Sequence, residues 1–186
     1  MRVLWLAEGI TPRKAPEQLV RAGAILTSPE ALLLQLEESW HAERDSAAVV
    51  FSLLSSFNRF TCFDCETSIP VNYVSLIEDL MKLGGDVFQV EAVSQNNDQV
   101  QFVYRDRVYC FTVRDLGDWY DVEAVIPGLN RALADTGRQE RFLLLYSGGQ
   151  FCSLTFASEL AFQEVACELH LPLESNYRAA MSQGVA

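Results

Sequence analysis

The chain has 186 residues, 49% of them apolar, which is enough to bury a core and too apolar for a disordered segment. Acidic residues outnumber basic ones, 25 to 14, for a net charge of −11. That field repels phosphate backbones and disfavours nucleic-acid binding through a basic surface, while it would steer a basic protein toward the chain.

Residues 1 to 26 show no periodic signal: Pro12 and Pro16 break them, and Arg13, Lys14 and Arg21 make them locally basic. The opening run from Met1 is interrupted at Glu8, too early for a secretory signal. No apolar stretch approaches the ~20 residues of a membrane span. A cytoplasmic protein of bacterial type, with no membrane association, is therefore expected. The first helix is expected from Ser28-Pro29-Glu30, where Ser28 caps, Pro29 fits the first helical position and Glu30 meets the positive end of the dipole. Leu32, Leu33, Leu36 and Trp40 follow at helical spacing. Between Ala47 and Phe63 periodicity does not separate helix from strand, and both stay open.

Pro70 and Asn72 open a helix with Tyr73, Leu76, Ile77, Leu80 and Leu83 on one face, and Gly84-Gly85 stops it. Strands are expected over 87–93, 100–104 and 108–113, joined by turns at 94–98 and 105–107. The loop Asp115-Leu116-Gly117-Asp118 leads to a helix carrying Val122, Val125, Ile126, Leu129 and Leu133. Pro127 requires that this helix start after Asp121 or kink. Strands over 142–146 and 151–156 flank Ser147-Gly148-Gly149-Gln150, a hairpin signal. Ser158 then caps a last helix with Phe162, Val165, Ala166 and Leu169 inward, ended by Pro172.

This order predicts an α+β fold, an antiparallel sheet of at least five strands with helices packed on one face. The N-terminal part, 1–86, is mainly helical in this reading and 87–175 is the antiparallel α+β region. The boundary falls at Gly84-Gly85, unless the N-terminal part packs onto the sheet as one domain.

Cys62-Phe63-Asp64-Cys65 is the only CxxC, and neither His41 nor His170 stands at a spacing that completes a zinc site. Both histidines sit at helix ends, where a cation complements the dipole. No metal, no cofactor and no catalytic residue is expected. Cys110, Cys152 and Cys167 are expected as small buried hydrophobes. Gly148-Gly149 lacks the frame of a phosphate loop. Asp115, Asp118, Asp121 and Glu123 cluster around Trp119-Tyr120 without the spacing of a calcium loop. Trp119 is expected in the core, whereas Asp115, Asp118, Tyr120, Asp121 and Glu123 are expected to form a partner-binding surface.

Val113 to Asp121, Gly128-Leu129-Asn130, Arg141-Phe142, Gly148-Gly149-Gln150 and Leu169 to Leu173 together resemble small bacterial immunity proteins, which accompany polymorphic and contact-delivered toxins. The resemblance covers the last half of the chain. It implies a cytoplasmic inhibitor, without cofactor, that binds and masks a cognate toxin, and the acidic balance of the chain suits a basic one. The alternative is a small enzyme using carboxylates or a thiol in a cleft between helices and sheet.

Overall fold

The computed structural model describes residues 14–24, 59–145, 150–169, 171 and 173. The helix expected from Ser28, the segment 47–58, both histidines and the Gly148-Gly149 turn lie outside them. Among the described residues no helix is long and apolar enough to cross a membrane.

The segment without a periodic signal contains helix α1, Lys14–Arg21. Pro16 is its third residue, in the first turn, where a backbone N–H has no partner within the helix and its loss costs little. The open segment 47–63 ends in strand β1, Phe60–Asp64. Helix α2, Tyr73–Gly84, has the inward face predicted for it. The Asn72 side chain accepts the Ser75 N–H at 3.1 Å, and Gly85 closes the helix at φ 53°.

A single 3-10 turn, Gly85–Val87, follows and takes up the first residue of the strand expected over 87–93. It drops Phe88 into the core, fully buried, so regular pairing begins only with β2, Glu91–Asn96. Strands β3, Gln99–Tyr104, and β4, Arg107–Thr112, complete a meander. Its second turn has Arg105 and Asp106 both at positive φ, 49° and 60°, matching the twist of a two-residue hairpin. Helix α3, Val122–Asp135, begins just after Asp121 and runs through Pro127. Strands β5, Glu140–Leu145, and β6, Phe151–Ser158, precede helix α4, Glu159–Leu169.

The fold is α+β and every strand pair is antiparallel, but the strands form two sheets rather than one. The orders are β1-β6-β5 and β2-β3-β4. β1 is the strand that the sequence left open, and it takes one side of β6. Helices also cover both faces of the first sheet, not one. The reason is visible in β6, where Cys152 to Ala157 are all buried. Leu154 and Phe156 enter the core shared with α2, α3 and the second sheet, whereas Ala157 joins Leu145 against α1 and α4. A strand buried on both faces reads as continuous apolar sequence, which does not reveal how many layers cover it.

Aromatic rings join the two sheets. Phe88 meets Phe102 and Phe142 edge-on, at 6.2 and 5.1 Å between centroids, and Phe142 meets Phe156 at 4.7 Å. Helix α3 lies close on β4 because Gly128 faces the Phe111 ring. A Cβ there would stand 2.6 Å from the ring's Cδ1. Gly128→Ala is therefore expected to cost about 1–3 kcal/mol through overpacking, against at most about 1 kcal/mol gained in helix propensity. Urea denaturation of the variant checks the sign.

Candidate functional site

The segment from Val113 to Asp121 leaves β4 and reaches α3 across the chain that follows β1. The Val113 N–H donates to the Asp98 carbonyl at 2.8 Å. At the loop tip the Asp115 carboxylate accepts the Gly117 N–H at 3.0 Å, with Gly117 at φ 73°. Beyond the tip, Trp119 forms an antiparallel bridge with Glu66. The Thr67 N–H donates to the Asp118 carbonyl at 2.6 Å, and the Tyr120 N–H to the Cys65 carbonyl at 2.9 Å. The acidic loop is thus tied by its backbone to residues 65–67.

Asp121 anchors the far end. Its carboxylate accepts the Arg114 backbone N–H and Nε at 2.9 Å each and Nη2 at 2.6 Å. The Tyr73 hydroxyl accepts the Asp121 N–H at 2.9 Å, and the Asp121 carbonyl receives the Ala124 and Val125 N–H groups. The hydrogen bonds from Arg114 hold the Asp121 carboxyl below the usual carboxylate range, against the opposing effect of burial. Burial raises the Tyr73 hydroxyl above its ordinary value. Arg114 also pairs with Glu123 at 2.8 Å, so two carboxylates share one guanidinium.

These contacts revise the expected surface. Asp121 is 1% exposed and belongs to the scaffold, because its carboxylate is taken up by Arg114. Glu123 is exposed beside it. Asp115 is exposed and Asp118 half-buried, both on the loop. The two aromatics exchange their expected places. Tyr120 is half-buried, with its ring 5.6 Å from Tyr73 and 6.3 Å from Phe63. Trp119, expected in the core, is 37% exposed. The bridge to Glu66 fixes the local backbone as extended, and alternation then sends neighbouring side chains to opposite sides.

Trp119 lines a cleft of about 380 Å³ together with Ile69, Val71, Leu116, Gln95 and Asp98. Ile69 is 75% exposed and Leu116 42%. Three large apolar side chains thus surround one concavity. Gln95 stiffens its floor, accepting the Tyr73 N–H at 3.0 Å and donating to the Val71 carbonyl at 3.2 Å. Asp98 and Asp115 also line the cleft, together with Arg114, whose guanidinium is paired with Asp121 and Glu123. Sequence reasoning missed Ile69 and Leu116. Their signal is an apolar residue within a polar loop, outside any helical or strand period.

Cys110 and Cys167 are exposed and Cys152 is buried, so only the last behaves as a small core hydrophobe. The other two fall on the outward phase of β4 and α4, which composition alone does not reveal. Cys62 is exposed and Cys65 half-buried. Among the described residues no group of three His, Cys, Asp or Glu could hold a metal ion. Replacing Cys62 and Cys65 together by serine is expected to change stability by no more than about 1 kcal/mol. Thermal melts of the double variant and zinc analysis of the purified wild type check this. Stoichiometric zinc, lost together with the fold in the variant, would contradict it.

No protein-family model, no curated protein and no solved structure matches the chain.

Proposed function

We propose that this protein works by binding another protein, as an inhibitor of the immunity type that masks a cognate toxin. One observation carries the binding part of this reading. Ile69, Leu116 and Trp119 are three of the six large apolar side chains exposed among the described residues, and all three line the same acid-rimmed cleft. Apolar anchors inside a charged rim are what a protein interface uses, and they cost solubility when nothing covers them. The net charge of −11 favours a basic partner, whose encounter the field would accelerate. The toxin reading adds the resemblance of the C-terminal half to immunity proteins. In this reading the protein binds without cofactor or metal and carries no catalytic residue.

Tagged protein serves as bait in extracts of the cells that produce it, with Leu116→Asp as the paired control. The expected result is a basic protein retained by the wild type and lost by the variant. Expressed alone, that protein should arrest growth, and co-expression of the wild type should restore it. A retained protein that is harmless when expressed alone would remove the toxin part of the reading. Equal retention by Leu116→Asp would remove the cleft.

A further inference from the structure

A second groove lies on the far side of Tyr120, between β1 and helix α2. β1 is the outer strand of its sheet among the described residues, with β6 on its one paired side. The register identifies which main-chain groups face outward. The Phe156 N–H donates to the Arg59 carbonyl and the Cys65 N–H to the Gln150 carbonyl. Residues 59 and 65 therefore stand at hydrogen-bonded positions of the antiparallel ladder, as do 61 and 63 between them. The N–H and C=O of Cys62 and Asp64 consequently point away from β6.

The side chains alternate in the other direction. Thr61 and Phe63 turn toward α2 and line a groove of about 450 Å³ with Leu76 and Leu80. Cys62 and Asp64 are exposed. Asp64, Glu66 and Asp79 set the charge of this groove, against Lys82, whose ammonium lies 2.7 Å from Asp79. Gln150 Nε2 donates to both Asp64 and Glu66 at 2.8 Å and holds the two carboxylates side by side. Three carboxylates against one paired ammonium leave the groove negative. The backbone pairing of residues 118–120 with 65–67 shows that the chain just beyond β1 already accepts an extended neighbour.

We propose that this groove receives an extended, basic segment of a partner protein as an added strand on β1. Main-chain hydrogen bonds to Cys62 and Asp64 would give the pairing. Alternate apolar side chains would rest on Phe63, Leu76 and Leu80, and intervening Lys or Arg, on the opposite face, would meet Asp64, while Asp79 adds to the negative field of the groove. The groove is separate from the cleft at Ile69, Leu116 and Trp119, and its occupancy does not depend on that cleft.

Proline provides the test. On an outer strand with its N–H directed away from the sheet, proline is compatible with the fold but removes the donor and blocks an incoming strand. A random peptide library displayed on phage is panned against the purified protein, and enriched peptides are titrated against Cys62→Pro, Cys62→Ser and Leu116→Asp. The expected result is enrichment of peptides alternating apolar residues with Lys or Arg. They should bind Cys62→Ser and Leu116→Asp like the wild type, and Cys62→Pro about tenfold or more weakly. A thermal melt of Cys62→Pro within a few degrees of wild type ensures that loss of binding is not loss of fold. If that variant melts early, Asp64→Lys with Asp79→Lys replaces it, and the same basic peptides should be lost. Three results would each overturn the proposal. These are no enrichment above background, undiminished binding to the variant used, or peptides lost in Leu116→Asp but kept by Cys62→Pro. The last would place the peptides in the other cleft, so failure here and failure of the cleft reading remain distinguishable.

Discussion

Asp121→Ala is expected to destabilise the protein by about 2–4 kcal/mol, more than removal of any other carboxylate in the acidic cluster. The carboxylate accepts three hydrogen bonds from Arg114 and is 1% exposed. Its removal leaves the Arg114 backbone N–H without its acceptor and separates the end of β4 from the start of α3. Asp115→Ala and Glu123→Ala act on exposed groups and should each change stability by under about 1 kcal/mol. The pH dependence has a definite sign. The folded carboxyl titrates below its unfolded value, so its contribution is complete above about pH 4 and is lost as the pH falls through the folded value. Urea denaturation at pH 7 and near pH 3 should show the gap between wild type and Asp121→Asn narrowing at the lower pH. A gap that is unchanged or wider there would contradict the role given to the Arg114 pair.

The second large effect concerns binding. Trp119→Ala is expected to raise the partner's dissociation rate about 30-fold, a loss of about 2 kcal/mol, with little change in association. Trp119 stands partly exposed at the cleft, so its truncation does not open a cavity in the core and can be read as a binding effect. Reversing Asp98 and Asp115, both exposed and both at the cleft, to lysine should act the other way. Exposed charges govern encounter, so association should slow several-fold at low salt, with a weaker salt dependence and a dissociation rate close to wild type. Stopped-flow or surface-based kinetics at two salt concentrations separates the two. Equal association rates for wild type and the double reversal at low salt would place the charged contact elsewhere.

Much of the fold could be read in the sequence where one rule acted alone. Tyr73, Leu76, Ile77, Leu80 and Leu83 have a clean helical period between Asn72 and Gly85, and the helix follows it. The turns expected over 94–98 and 105–107 are present but shorter, Asn97-Asp98 and Arg105-Asp106, because Ser94 to Asn96 pair within β2 and Arg107 within β4. The reading failed where tertiary packing decided. Pairing of β1 with β6 joins positions about ninety residues apart, as in Phe60 with Thr155, and no local signal encodes it. The division into two sheets depends on Phe88 entering the core instead of extending β2. For the candidate site the sequence located the segment but not the direction of its side chains. Asp118, Trp119, Tyr120 and Asp121 look equivalent as an acidic, aromatic run. Extended pairing with residues 65–67 then turns Trp119 outward and Tyr120 inward, and Arg114 draws Asp121 under the surface.

Hydroxyl-radical footprinting of the protein with and without its captured partner reads the burial of the cleft residue by residue. It reports the solvent access of Ile69, Leu116 and Trp119 individually, all three of which are exposed in the free protein. Burial of the cleft by the partner requires that their oxidation fall together, several-fold, while Val108 and Leu160, exposed outside the cleft, continue to react as before. Undiminished oxidation of Ile69, Leu116 and Trp119 in a saturated complex would contradict it.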